Sequence, residues 1–226
     1  MNPAKRLFIS FILTILISPI FGQDSYAYDG YRHDFYNMVN TYYLKKDTNL
    51  VKETISFLND PNVCYNIEKP HLTGFFGALF SLNTKIKNDF SSTIEEITNT
   101  DFKRLFVYLL VTNIDSIESK WLLSTEYNDM NWSAYFATGD MKYINLLISN
   151  MKYDTVRTDK MLFFTGASAK WSLCSNSQQH KEIMAYLIKV QRTNKLISEI
   201  LIKPPSEIED SIFAIDKRQR ANGIWK

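Results

Sequence analysis

Apolar residues recur along this chain at three- and four-residue steps, the period of a helix with one face turned inward. Between Asn49 and Asn59 the stripe is Leu50, Val51, Thr54, Ile55 and Leu58, and Asp60-Pro61-Asn62 stops it. Leu72 to Leu82 and Phe102 to Val111 are almost wholly apolar or small, the pattern of helices buried on most sides. Further stripes follow at Tyr143, Ile144, Leu147 and Ile148, at Ile183, Met184, Leu187 and Ile188, and at Ile197, Ile200 and Leu201. Lys203-Pro204-Pro205 ends the last of these. The pattern predicts an all-α domain over 28–202, built as helical hairpin repeats of α-solenoid type or as an irregular helical bundle. Residues 203–226 are polar with scattered apolar positions. They read as a loosely attached tail, with at most a short helix around Ile208 to Ile215. Only 7 Gly and 6 Pro occur, too few for the frequent turns of a β-sandwich.

The N-terminus departs from this pattern. Lys5 and Arg6 precede an apolar run, Leu7 to Ile17, broken only by Ser10 and Thr14, and Ser18-Pro19 follows. This is the layout of a secretory signal, assigned to 1–27, with cleavage expected after Gly22 or after Ser25-Tyr26-Ala27. An uncleaved anchor is the rival reading, but a spanning helix needs roughly 20 apolar residues. No Cys follows the run to carry a lipid. The chain is therefore expected to be exported, to the periplasm or the outside, with no membrane span after signal removal. In such a compartment Cys64 and Cys174 could form a disulfide, or could be two unrelated thiols; spacing and count leave both open.

Four stretches share a layout of small, small, any residue, aromatic: Asn40–Tyr43, Gly77–Phe80, Ser133–Phe136 and Ser168–Trp171, with Asn40 a poor fit. Helix-start residues follow, Asp47, Asp140, and Ser175 or Asn176, whose side chains accept hydrogen bonds from a first helical turn. The physical reading is a helix–turn–helix unit in which small residues admit a neighbouring helix and the aromatic fills the gap. Ala78, Ala134 and Ala169 then lie where two helices touch most closely. Two of the three steps between the aromatics are near the roughly 34-residue period of tetratricopeptide units. In these residues the chain resembles tetratricopeptide-like or Sel1-like helical repeats, over Asp34 to Leu201, although the Trp and Leu-Gly of the fuller tetratricopeptide pattern are absent. The resemblance implies a partner-binding solenoid. The residue before each aromatic turns about 100° away from the paired helix. On that argument Tyr42, Tyr135 and Lys170, with Leu79 at the equivalent place, would line a binding surface.

Candidate chemistry is sparse. There is no Gly-x-Ser-x-Gly elbow, no Gly-rich phosphate loop and no His-x-x-x-His pair among His33, His71 and His180. Cys174 and His180 sit close in sequence, in what reads as a polar turn. Glu95-Glu96 and Glu207 with Glu209 lie in polar stretches, as solvated faces do. A net charge of +2 without a basic stripe excludes a dedicated nucleic-acid binder. The aromatics, 14% of the chain, point first to a thick core. No metal or cofactor is expected. The first functional expectation is an exported helical-repeat module that binds a protein or peptide partner. The second is a hydrolase of an envelope polymer, its site assembled from distant residues. A concave face carrying Tyr135 and Lys170 would favour the first, a pocket placing His71 or His180 beside a carboxylate the second, and a bundle with neither an accessory protein.

Overall fold

The computed structural model describes residues 26–225, with side chains from residue 33 onward. All but Tyr26 and Ala27 of the signal assignment lie outside the described residues. Among the described residues the protein is all-α: twelve α-helices, two short 3-10 segments and no strand.

The first helices are α1 (Tyr26–Asn40), α2 (Leu50–Leu58), α3 (Tyr65–Leu82), α4 (Thr84–Thr93), α5 (Thr100–Val111) and α6 (Ile114–Glu118). Then come α7 (Thr125–Thr138), α8 (Met141–Asn150), a 3-10 segment (Met151–Thr155), α9 (Lys160–Gln179), α10 (Lys181–Val190), α11 (Lys195–Ile202) and α12 (Pro205–Ala221). Short polar side chains start most of them. Asn83, Asn99, Asn113, Ser124, Asp140, Asp159 and Asn194 each accept a hydrogen bond from an otherwise unsatisfied N–H of a first turn. Asp140 is the expected cap. Asn176 is not one, because α9 runs on to Gln179 and His180 precedes α10 without a side-chain cap. Asp47 bonds the N–H of Asn49 just ahead of α2. Gly139 closes α7 in the left-handed conformation (φ 73°) that a Cβ disfavours.

Three helices form the middle of the molecule. Every residue from Leu72 to Phe80 in α3 and from Met130 to Ala137 in α7 is buried, as are Thr165 to Ser177 of α9 except Lys170. The three carry no single apolar stripe because they are covered on all sides. α3 packs against α4, α5, α6 and α7; α9 packs against α7, α8, the 3-10 segment, α10, α11 and α12. α3 and α7 share the most extensive interface. A Cβ placed on Gly74 would stand 1.9 Å from the carbonyl oxygen of Met130, so only glycine admits this approach. Gly166 lets α9 meet the 3-10 segment in the same way, 2.1 Å from the Asp154 nitrogen. Ala78, Ala134 and Ala169 are all buried, and the two glycines mark close backbone approaches of the same helices.

The register of α7 against α9 is set by buried polar pairs one helical turn apart. Asn128 donates to the Thr165 carbonyl at 2.8 Å and to Ser168 Oγ at 2.9 Å, and Trp132 Nε1 donates to Ser172 Oγ at 2.9 Å. Asn150 of α8 adds a 2.8 Å bond to Asn128 Oδ1. Partners on both sides remove the penalty of burying these polar groups and penalise any slip of one helix along the other.

One expectation is corrected, and one open alternative is resolved. The segment 203–226 is not a loose tail: α12 buries Ile208, Ile212 and Gln219 beneath α9. Beyond it Trp225 packs on Phe163 (ring centroids 4.9 Å apart) and donates its indole N–H to the Arg157 carbonyl at 2.9 Å. Its few apolar residues suffice because one helical face and one terminal indole do the anchoring. Nor are the cysteines bridged. Cys64 is exposed just before α3, whereas Cys174 is buried in α9, its thiol donating to the Lys203 carbonyl at 3.3 Å. Among the described residues no helix is long and apolar enough to cross a membrane.

Candidate functional site: an aromatic recess between α1, α3 and α7

A recess opens where the end of α1 crosses α3 and α7. Each helix presents residues one turn apart to it: Tyr36 and Asn40 from α1, Glu68, His71 and Phe75 from α3, Trp132, Ser133 and Phe136 from α7. Its enclosed space is about 30 Å³, within a hollow of about 480 Å³ counting the open mouth. That space holds a water or two, or the tip of one side chain. The walls are aromatic, and Trp132 stacks on Phe136 at 5.7 Å.

Polar groups gather on one side. Glu68, only 5% exposed, accepts a 2.5 Å hydrogen bond from the Tyr36 hydroxyl. His71 Nδ1 lies 3.4 Å from Ser133 Oγ. Burial pushes the His71 imidazole down to about 4, so the ring is neutral at pH 7. Asp129, one turn before Ser133 on α7, is pushed the other way. Burial first, then repulsion from Glu126 and Glu68, holds its carboxyl well above the usual range.

These shifts oppose one another in stability. Between about pH 4 and 6.5 the unfolded chain binds more protons at His71 than the folded one, so stability rises with pH there. Asp129 keeps its proton better when folded, so its contribution is complete below 3.8 and declines as pH rises. His71→Gln is therefore expected to remove an acid-side loss of up to about 3 kcal/mol, and Asp129→Asn to steepen that loss. Urea midpoints at pH 7 and pH 4.5 test this; slopes unchanged in both variants would refute it.

The residues singled out on the repeat argument are placed elsewhere. Tyr42 is 2% exposed, edge-on to Phe75 and covered by Lys46, whose Nζ sits 4.5 Å from the ring. Tyr135 is fully buried, its ring 5.0 Å from that of Tyr43. Tyr43 in turn meets His180 Nδ1 at 2.9 Å, and its hydroxyl donates to Glu182 at 3.4 Å. The Tyr135 hydroxyl lies close to that of Tyr43 without a hydrogen bond of good geometry. Burial, then Tyr43 and Glu182, push it above the ordinary tyrosine range. Lys170 is tied to Asp154 and Glu199 at 2.8 and 2.6 Å, its side chain 12% exposed. None of the three lines an open surface, and they do not converge. The 100° argument assumes a helix with one free face; α7 and α9 have none, and Tyr42 lies in the turn after α1.

The recess residues carry a faint sequence signal, visible only once α3 and α7 are paired. Glu68 and His71 stand three apart ahead of an aromatic run, and Asp129 and Ser133 stand four apart beside Trp132. Among the described residues no three His, Cys, Asp or Glu side chains converge to hold a metal ion. No protein-family model matches the chain, and no curated protein or solved structure is detectably similar to it. The resemblance to helical-repeat proteins therefore rests on its residues alone.

Proposed function

We propose that this is an exported helical-repeat protein that binds a protein or peptide partner, anchoring one partner side chain in the recess between α1, α3 and α7. The observation that carries the reading is the recess itself: aromatic walls, polar groups on one side, and room for the tip of a single side chain. The repeat reading draws support from three of the four aligned stretches lying within helices, α3, α7 and α9. Export rests on Lys5, Arg6 and the apolar run after them. Cleavage after Gly22 would leave α1 whole. Mass spectrometry of the native protein should find a first residue between Gln23 and Tyr28; intact Met1 would refute export.

The binding test is selection of displayed random peptides on the full chain, followed by affinity measurement against Ser133→Leu. Filling the recess should weaken the selected peptides at least about ten-fold, an anchor side chain being worth more than about 1.4 kcal/mol. Asn40→Trp, at the mouth, repeats the test should the leucine disturb folding. Peptides that bind both variants as well as the parent, or no enrichment at all, would overturn the reading.

A second reading is favoured by Asp129, a carboxyl inclined to keep its proton beside the carboxylate Glu68. An acid and a base of this kind are what polymer hydrolysis requires. Of the two carboxyls only Glu68 lines the recess, so this reading stands second. Release of soluble fragments from envelope polysaccharide, lost in Asp129→Asn and Glu68→Gln, would reverse the order.

A further inference from the structure

We propose that the bond between Asn222 and Gly223 is a self-modifying site, at which deamidation through a cyclic imide lengthens the main chain and unseats Trp225 from α9.

Of the 7 glycines in the chain, only Gly223 follows an asparagine. The pair stands exposed just past α12, Asn222 as the helix cap and Gly223 in the left-handed conformation (φ 69°). A Cβ at Gly223 would meet nothing within 4 Å, so the space beside it is open, and glycine has no side chain to shield its own nitrogen. That nitrogen, on losing its proton to water or hydroxide, attacks Asn222 Cγ. The new carbon–nitrogen bond closes the imide, and the side-chain nitrogen leaves as ammonia. Water then opens the ring. Addition at Cγ leaves aspartate in an ordinary main chain. Addition at the backbone carbonyl leaves isoaspartate, whose main chain runs through Cβ and Cγ. Either way one water is consumed and one ammonia released, with no oxidation or reduction.

The closing turn of α12 depends on this bond. Gly223 donates its N–H to the Arg220 carbonyl at 3.0 Å and Ile224 donates to the Gln219 carbonyl at 3.0 Å, the paired bonds of a glycine-closed helix end. They aim Trp225, 4% exposed, at the Phe163 ring and the Arg157 carbonyl. One extra main-chain carbon ahead of Gly223 puts these donors out of register, so the cap and the indole cannot both keep their places. The aspartate product keeps the register. It adds only a carboxylate at the negative end of a helix, near the exposed Arg218 and Arg220 in sequence. Isoaspartate therefore carries the structural effect.

Ageing of the full chain in mildly alkaline buffer tests this, read by mass spectrometry of the tryptic peptide 221–226 that Arg220 and Lys226 delimit. The amide form is expected to be lost over days, with isoaspartate the larger product. It should persist in Asn222→Gln, whose longer side chain closes the ring poorly. The aged protein is then separated by its added charge, with Asn222→Asp as the reference for unchanged chain length. In the isoaspartate form the Trp225 indole N–H should lose its protection from solvent exchange, and the urea midpoint should fall to that of Trp225→Ala; Asn222→Asp should keep the protection. Amide loss in urea but not in buffer, or equal loss in Asn222→Gln, overturns the site. Isoaspartate with the indole protected as in the parent overturns the unseating of Trp225.

Discussion

Replacing Gly74 with alanine is expected to cost more than about 3 kcal/mol or to abolish folding, although alanine is the better helix former by roughly 1 kcal/mol. The new Cβ would stand 1.9 Å from the Met130 carbonyl oxygen and 2.7 Å from its carbon, both backbone atoms of α7. Backbone cannot turn aside as a side chain can, so α3 and α7 must separate along their whole interface. That interface holds Phe75, Phe76 and Trp132, and a gap between close-packed helices forfeits dispersion along its length. Gly166→Ala should behave alike, its Cβ meeting Asp154 nitrogen at 2.1 Å and Tyr153 carbon at 2.4 Å. Gly77→Ala is the control. There the nearest atom is Ile114 Cδ1 at 2.8 Å, the free end of a flexible side chain. It should change stability by less than about 1 kcal/mol, since the gain in helix propensity offsets a small adjustment. Urea unfolding of the three variants decides the matter, and Gly74→Ala at parental stability would mean that the helices do not cross this closely.

The same glycines show what was legible in the sequence. Helical period alone reveals where helices lie, because Leu50, Ile55 and Leu58, or Tyr143, Ile144 and Leu147, can be buried together only at 3.6 residues per turn. It also marks α3 as interior, since Leu72 to Phe80 leaves no polar face to wet. It does not reveal which helix meets which. The pairing of α3 with α7 spans more than fifty residues of chain and depends on Gly74 and Met130 facing one another, a relation with no local signature. The recess follows from that pairing, so Glu68, His71 and Ser133 could not be assembled from spacing. The tail was misread for a different reason: most of its helix is solvated, and its anchor, Trp225, lies beyond it. Lys170 was misread because a buried ion pair and an exposed binding residue look alike in sequence.

Lys170→Ala is accordingly expected to destabilise the fold by about 2–4 kcal/mol at pH 7 rather than to impair a binding face. The ammonium joins three elements: Asp154 of the 3-10 segment, its own helix α9, and Glu199 of α11. Lys203 extends the network, bridging Glu199 at 3.2 Å and Glu207 of α12 at 3.1 Å. Burial opposes the charge on Lys170, but its two carboxylate partners outweigh that and hold its pKa above the ordinary lysine value. Removing it leaves Asp154, 15% exposed and with Oδ1 already lacking a hydrogen bond, as an uncompensated charge in a dry place. Glu199 is more exposed, so solvent screens part of its share. The sign of the pH dependence follows. Burial alone would raise the Glu199 carboxyl; Lys170 and Lys203 together lower it, so its contribution is present above 4.5 and is lost as pH falls through the depressed value. In Lys170→Ala the Glu199 carboxyl loses one of the two ammonium groups that lower it and has less to lose on acidification, so the penalty should shrink as pH falls from 7 towards 4. Lys170→Met combined with Asp154→Leu should recover most of the loss at pH 7, because the costly species is the unpaired charge and not the missing bond. Denaturant unfolding of the single and double variants at both pH values measures all of this. A Lys170→Ala penalty below about 0.5 kcal/mol at pH 7 would return Lys170 to the class of surface residues, where a partner could reach it.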